Sequence, residues 1–241
     1  MDNLSSVSVV IPVKDENHSS ILILLHELET LGAEVLIVDD GSKNPFPSSI
    51  LHETNLGYGQ ALMTGISKAS RSLIITMDGD GQHRTQDALN LYQVWKMLNV
   101  DMVIGARRLT YEKPLRMWGR KFLNLIASFF TGMYLPDLNS GMRIFRKDIA
   151  INYFPILCKT FSFTTSITMS FFCDNYRVEW FPIQVADRPF GKSHVKVIKD
   201  GMVTLYYIVR IGVALRSRKL RSFLASAIPT RRIRKWLREL L

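Results

Sequence analysis

Asp78 and Asp80, with Gly79 between them and Gly81-Gln82-His83 behind, are the residues of this chain whose types and spacing most directly suggest chemistry. They close an apolar run, Leu73-Ile74-Ile75-Thr76-Met77, that reads as a buried strand. Alternation along an extended backbone sends the two carboxylates to one side, and the glycines let the chain turn sharply. Two carboxylates plus the amide oxygen of Gln82 suit a hard divalent cation, with positions left for phosphate oxygens. The plainer reading is an Asp/Gly-rich turn. An EF-hand loop is excluded, because it needs glycine where His83 sits and glutamate where Leu89 sits.

The elements that must position this turn repeat its pattern. Val7-Ser8-Val9-Val10-Ile11-Pro12 reads as a first buried strand stopped by Pro12, followed by the polar loop Lys14-Asp15-Glu16-Asn17 and a helix from Ser19 or Ser20 to about Leu31. Glu34 to Val38 is a second strand, ending in Asp39-Asp40-Gly41-Ser42, and Ile50 to Glu53 a short third one. A helix follows Asn55-Leu56-Gly57-Tyr58-Gly59 over about 60–69. Leu62 stands where a dinucleotide fingerprint needs its third glycine, so that motif is weak. Beyond the Asp78 turn come a helix over about 86–98 and a strand from Met102 to Ala106 ending at Arg107. Strands alternating with helices predict a doubly wound α/β sheet. Ligands bind outside the carboxyl ends of such strands. Three strand ends carrying Glu16, Asp39/Asp40 and Asp78/Asp80 therefore mark a site.

The net charge of +10 is uneven. From Arg210 to Leu241 stand ten Lys/Arg and one acidic residue, so the rest of the chain is near neutral. The apolar run 202–215 is too short to span a bilayer of roughly 20 helical residues. After it, Leu220, Phe223, Leu224, Ala227 and then Ile233, Trp236, Leu237, Leu240 repeat at helical spacing among basic residues. That pattern fits helices lying on an anionic membrane, whereas a nucleic-acid tail needs no apolar stripe. A partner-binding or oligomerising helix, giving a homo-oligomer, is the alternative. Phe122, Leu125, Ile126, Phe129 and Phe130 form a second such stripe behind the basic start Arg116–Lys121, or else a helix packed on the core. Residues 1–6 show no signal-peptide pattern. Cys158 and Cys173 read as free thiols. The expected organisation is a catalytic domain over 1–195 and a basic amphipathic appendage over 196–241, at the cytoplasmic face of a membrane.

Taken together, Ile11-Pro12-Val13-Lys14-Asp15-Glu16, Val38-Asp39-Asp40-Gly41-Ser42, Asp78-Gly79-Asp80-Gly81-Gln82-His83, Gly105-Ala106-Arg107, Ser140-Gly141-Met142-Arg143 and Arg188-Pro189-Phe190-Gly191-Lys192-Ser193-His194 resemble the inverting family 2 glycosyltransferases, in their dolichyl- or polyprenyl-phosphate branch. The resemblance implies a GT-A fold, a mostly parallel Rossmann-like sheet flanked by helices. It implies a nucleotide-sugar donor held by Pro12, Lys14, Glu16, Val38, Asp40, Asp78, Gly79, Asp80, Arg107, Arg188 and His194. Asp78, Asp80 and Gln82 would hold Mg2+ or Mn2+ on the diphosphate, and Arg116, Arg120, Arg188 and Lys192 the phosphate of a polyprenyl-phosphate acceptor. The chain departs from the family's pattern in three places. Lys14 replaces a usual aromatic residue, His194 replaces a lysine, and Phe163-Thr164-Thr165-Ser166 lacks an acidic residue.

The implied reaction displaces a nucleoside diphosphate at the anomeric carbon with inversion. The cation, Arg107 and Arg188 would neutralise the leaving oxygen. A lipid phosphate is already anionic and needs little help from a base. A hydroxyl acceptor on a glycan or glycolipid would need one, for which Asp137 is the candidate; the alternative for Asp137 is a structural one, capping the Asn139-Ser140-Gly141 turn. A catalytically silent membrane scaffold is the remaining alternative.

Overall fold

The computed structural model describes residues 3–107, 114–184 and 197–227. Its elements run β1 (Val7–Val13), α1 (His18–Thr30), β2 (Glu34–Asp39), β3 (Ile50–Leu51), α2 (Tyr58–Lys68), β4 (Leu73–Thr76), α3 (Thr85–Leu98), β5 (Met102–Arg107), α4 (Pro114–Thr131), β6 (Arg143–Arg146), α5 (Lys147–Tyr153), α6 (Phe163–Cys173), β7 (Val178–Ile183) and α7 (Val197–Ala227). The strands form one sheet of seven in the order β3-β2-β1-β4-β6-β5-β7. All pairings are parallel except those of β6, which runs against β4 and β5. This is the helix-flanked, mostly parallel sheet expected from the strand–helix alternation.

Alternating side chains feed two cores. Val10, Val38, Ile74 and Phe145 face the layer built by α2, α6 and α7. Val9, Ile11, Ile37, Ile75 and Ile144 face α1 and α3. The reversal of β6 matters for function. It brings the chain entering that strand, Asp137 to Gly141, to the edge where β1, β2, β4 and β5 leave the sheet.

Several local expectations need correction. Pro12 does not stop β1, which pairs with β2 through Pro12↔Val38 and Val13↔Asp39. The β4 ladder already ends at Val10↔Thr76, and the Val13 carbonyl accepts the Asp40 N–H on the β2 side. The missing N–H of Pro12 therefore faces the side where no strand needs it. The cap of α1 is Asn17, whose Oδ1 accepts the N–H groups of Ser19 and Ser20 at 2.9 and 3.3 Å, rather than either serine. Helix α5, directly after β6, was not foreseen.

The expected appendage opens with α7, a helix of 31 residues whose first half packs on the body; residues 228–241, with Ile233, Trp236, Leu237 and Leu240, lie outside the described residues, as do the side chains of Leu220, Phe223, Leu224 and Ala227. Ile208 and Ile211 are core residues, and a Cβ on Gly212 would run into the ring of Phe130 on α4. No helix among the described residues is long and apolar enough to cross a membrane.

Candidate active site

The three acidic turns meet at the carboxyl edge of the sheet, tied together by a few short segments. Asp15 N–H donates to Ser42 Oγ at 2.8 Å, and Lys43 N–H returns to Asp15 Oδ1 at 2.9 Å, joining the first turn to the second. Asp40 accepts the N–H of Leu56 on Oδ1 and of Gly57 on Oδ2, both at 2.8 Å. The next residue, Tyr58, donates its hydroxyl to Asp78 Oδ1 at 2.7 Å. Residues 56–58 thus bridge the second turn and the third. Gly79 lies so close to the end of β1 that a Cβ there would sit 2.8 Å from Val13 Cγ1.

Asp78 and Asp80 are held by a turn, not by a strand's pleat, since β4 ends at Thr76. Gly81 makes the bend at φ 75°, a conformation suited to glycine. The Asp78 side chain is 32% exposed, and Asp80 is 7% exposed with Oδ1 accepting the Gln82 N–H at 3.1 Å. Both charges act on the Tyr58 phenol, whose pKa is raised well above its usual value by burial and then by Asp78. His83 is buried beneath the turn with Nε2 3.5 Å from Asp78 Oδ2. Burial alone would raise the Asp78 pKa. The His83 contact, the Tyr58 hydroxyl and the Arg107 charge together hold it below the usual carboxylate range. Behind Asp78, a Cβ on Gly141 would lie 2.6 Å from the carboxylate carbon, so the Ser140-Gly141 pair needs its glycine there. Thr76 Oγ1 fixes that wall by donating to the Gly141 carbonyl at 2.6 Å.

Among the described residues no group of three or more His, Cys, Asp or Glu is placed to hold a metal ion. The chemistry on offer is a partly exposed carboxylate, its sheltered neighbour and the amide of Gln82. Such a set fits a cation that takes its other oxygens from phosphate and water, as Mg2+ and Mn2+ do.

Of the two roles expected for Asp137, the geometry favours the turn cap over the base. It is 3% exposed, and Arg107 grips it through Nε to Oδ2 at 2.8 Å and Nη2 to Oδ1 at 3.1 Å. Asn139 N–H adds a bond to Oδ1 at 3.0 Å. Burial pushes its pKa up, but Arg107 outweighs this and the net shift is down, which weakens it as a proton acceptor. Arg143 is fully buried, donating through Nη1 to the Thr164 carbonyl at 2.8 Å and to Thr168 Oγ1 at 3.0 Å. Burial drives its pKa down to about 10.

Other expected residues divide. Lys14 and Glu16 sit partly exposed on the first loop, at the site. Pro12 is buried within β1. Val38 is fully buried in the core beside Gly65, so its side chain cannot line a donor pocket. Asp40 is 4% exposed and anchors a loop, with His52 Nδ1 a further partner at 2.9 Å. Gly57 and Gly59 serve close packing. They let α2 start against the 158–159 backbone, where the Lys159 carbonyl accepts the Gln60 N–H at 2.9 Å. Arg120 is partly exposed on α4. Arg188, Lys192 and His194 lie outside the described residues, as does the side chain of Arg116. Sequence reading missed Tyr58. Its only signal is an aromatic residue between two glycines at a helix start.

The carboxylate turn, walled by Gly141 and neighboured by the Arg107–Asp137 pair, thus stands at the carboxyl edge of a mostly parallel, helix-flanked sheet. Residues 8–154 match the family model described as glycosyl transferase family 2, and the chain belongs to that family. It is similar to undecaprenyl-phosphate 4-deoxy-4-formamido-L-arabinose transferase of Yersinia enterocolitica, with 26% identity across 94% of this chain and 73% of that one. The Yersinia pestis protein of the same name is also 26% identical, over 93% and 72%.

Among solved structures, glucosyl-3-phosphoglycerate synthase from Mycobacterium tuberculosis, in complex with Mn2+, UDP-glucose and phosphoglyceric acid, superposes with a TM-score of 0.63. That match covers 87% of this chain and 79% of that one at 13% identity. Mannosyl-3-phosphoglycerate synthase from Rubrobacter xylanophilus gives a TM-score of 0.61 over 89% and 74%, at 18% identity. These two likenesses bear on the fold.

Proposed function

We propose that the protein transfers a sugar from a nucleotide-sugar to a polyprenyl phosphate at a membrane surface, with inversion and with Mg2+ or Mn2+ as cofactor. Asp78, Asp80 and the Gln82 amide would hold the cation, which when bound supplies positive charge for the donor's diphosphate. Glu16, Lys14 and the loop anchored by Asp40 would form the wall for base and ribose. Arg107, fixed by Asp137, lends positive charge to the same edge. Arg116, Arg120, Arg188 and Lys192 are the candidates for the acceptor phosphate.

The observation that carries the choice of acceptor is the Arg107–Asp137 fork. It occupies the acid that sequence offered as a candidate base, and an acceptor that is already anionic needs none. The names of the 26% identical relatives support the same choice.

The membrane reading is supported by two exposed stripes of equal spacing. On α4 they are Trp118, Phe122, Leu125 and Phe129. On α7 they are Met202, Tyr206, Val209 and Val213. The two helices pack together, and Arg216 lies 4.2 Å over the Phe129 ring while donating to its carbonyl at 2.7 Å. Exposed Lys121, Lys199 and Arg210 flank the stripes. Each cation near an anionic leaflet adds about 1 kcal/mol of attraction. The tail beyond Ala227 would extend this contact.

The test is transfer from a panel of radiolabelled nucleotide-sugars to undecaprenyl phosphate in anionic vesicles with Mn2+. Label in the lipid phase with the native chain, and none with Asp80→Ala, is expected. Label appearing solely on added glycan hydroxyls would overturn the acceptor assignment.

A further inference from the structure

Tyr58 has no part in the mechanism above, and a Tyr–Asp separation of twenty residues carries no motif. We propose that Tyr58 is a positioning residue for the metal site, its hydroxyl fixing the rotation of the Asp78 carboxylate. This rests on the metal reading of Asp78 and Asp80.

The carboxylate is bounded on three sides. Tyr58 donates to Oδ1 at 2.7 Å, His83 Nε2 stands 3.5 Å from Oδ2, and Gly141 closes the rear. The phenol is the nearest of these groups and the one on a rigid mount. Its ring stacks on Phe161 with centroids 5.5 Å apart and planes 21° apart. A Cβ on Gly57 would lie 2.6 Å from the Lys159 carbonyl, so the backbone before Tyr58 is pressed against the segment that carries Phe161.

That segment is anchored in turn. Cys158 N–H donates to Ser166 Oγ at 3.1 Å, and the hydroxyls of Ser162 and Thr204 meet at 2.8 Å, tying it to α6 and α7. One hydroxyl bond leaves further lone pairs on the carboxylate for a cation. Without it, the side chain can turn toward His83. Outer partners of this kind set ligand orientation, and their removal typically weakens metal binding 10- to 100-fold.

The experiment titrates Mn2+ alone into the full chain, following free Mn2+ by electron paramagnetic resonance. The set comprises the native chain, Tyr58→Phe, Asp78→Asn, Asp80→Ala and the Tyr58→Phe/Asp78→Asn double variant. Tyr58→Phe is expected to raise the Mn2+ dissociation constant at least about tenfold. In the Asp78→Asn background the same change should add little, because the two groups act as one unit. A merely structural tyrosine would shift both backgrounds equally and lower the melting temperature of each.

Native-like Mn2+ affinity in Tyr58→Phe, with Asp80→Ala impaired, would overturn the role of Tyr58 alone. Equal affinity in the native chain and Asp80→Ala would remove the metal assignment, and this proposal with it. If Tyr58→Phe folds poorly, Phe161→Leu keeps the hydroxyl and loosens its mount. A several-fold weaker Mn2+ affinity there is expected, and an unchanged one counts against the role.

Discussion

Two acidic turns at neighbouring strand ends look alike in sequence and do different work. At Asp39-Asp40 both side chains are buried, 1% and 4% exposed. Asp39 accepts the N–H groups of Ser42 and Phe46 at 2.8 and 3.0 Å, and Asp40 those of Leu56 and Gly57. That turn builds loops. At Asp78-Asp80 the first carboxylate is a third exposed and its partners are side chains, Tyr58 and His83. A carboxylate saturated by backbone N–H groups is a structural strut. One steered by side chains and left open is poised for a ligand.

Exchanging the roles is the sharpest way to break this comparison. Asp80→Ala should cut metal-dependent transfer by about 10^3-fold or more, with its melting temperature unmoved. Asp40→Ala should instead cost about 3 kcal/mol of stability, since it strands buried donors. For a chain of this size that lowers the melting temperature by roughly 6–12 °C. Equal melting temperatures for the two variants, read by calorimetry, would erase the distinction.

The Arg107–Asp137 fork belongs on the structural side of the same line. Asp137→Asn should destabilise by about 3 kcal/mol, because it leaves Arg107 without its buried counter-charge. The folded-state pKa of Asp137 lies below its ordinary value. Its contribution is therefore fully present above about pH 4 and is lost as the pH falls through the folded-state value. Denaturant melts from pH 7 down to pH 3 should show the native chain losing its advantage over Asp137→Asn across that window.

Gly141→Ala sharpens the ligand side. The added methyl would displace Asp78 while leaving the sheet register alone, and a drop in transfer of about tenfold at unchanged stability is expected. Smallest is the membrane face. Replacing Phe122 and Tyr206 by serine should weaken binding to anionic vesicles roughly fivefold, with donor hydrolysis in solution unchanged.

Much of the sheet was legible, because fully buried parallel strands such as Val7–Ile11 and Leu73–Ile75 announce themselves as apolar runs. The convergence of Glu16, Asp40 and Asp78 followed from the rule that such strands deliver their ends to one edge. What sequence could not give was pairing across distance. Asp78 finds Tyr58 twenty residues away, and Arg107 finds Asp137 thirty residues away. Both depend on how loops fold back. The reversed direction of β6 was equally hidden, since a four-residue strand carries no directional signal. Pro12 misled because the penalty for a strand proline depends on whether a neighbour needs its N–H, a property of the ladder and not of the residue.

We propose above that a cation held by Asp78 and Asp80 engages the donor's diphosphate. The most direct measurement is anomalous diffraction at a wavelength sensitive to manganese, from crystals grown with Mn2+ and a nucleoside diphosphate. A single strong peak within coordinating distance of Asp80 and Asp78, beside the diphosphate, is expected. A diphosphate bound at the sheet edge with the manganese peak elsewhere, or with none, would contradict it.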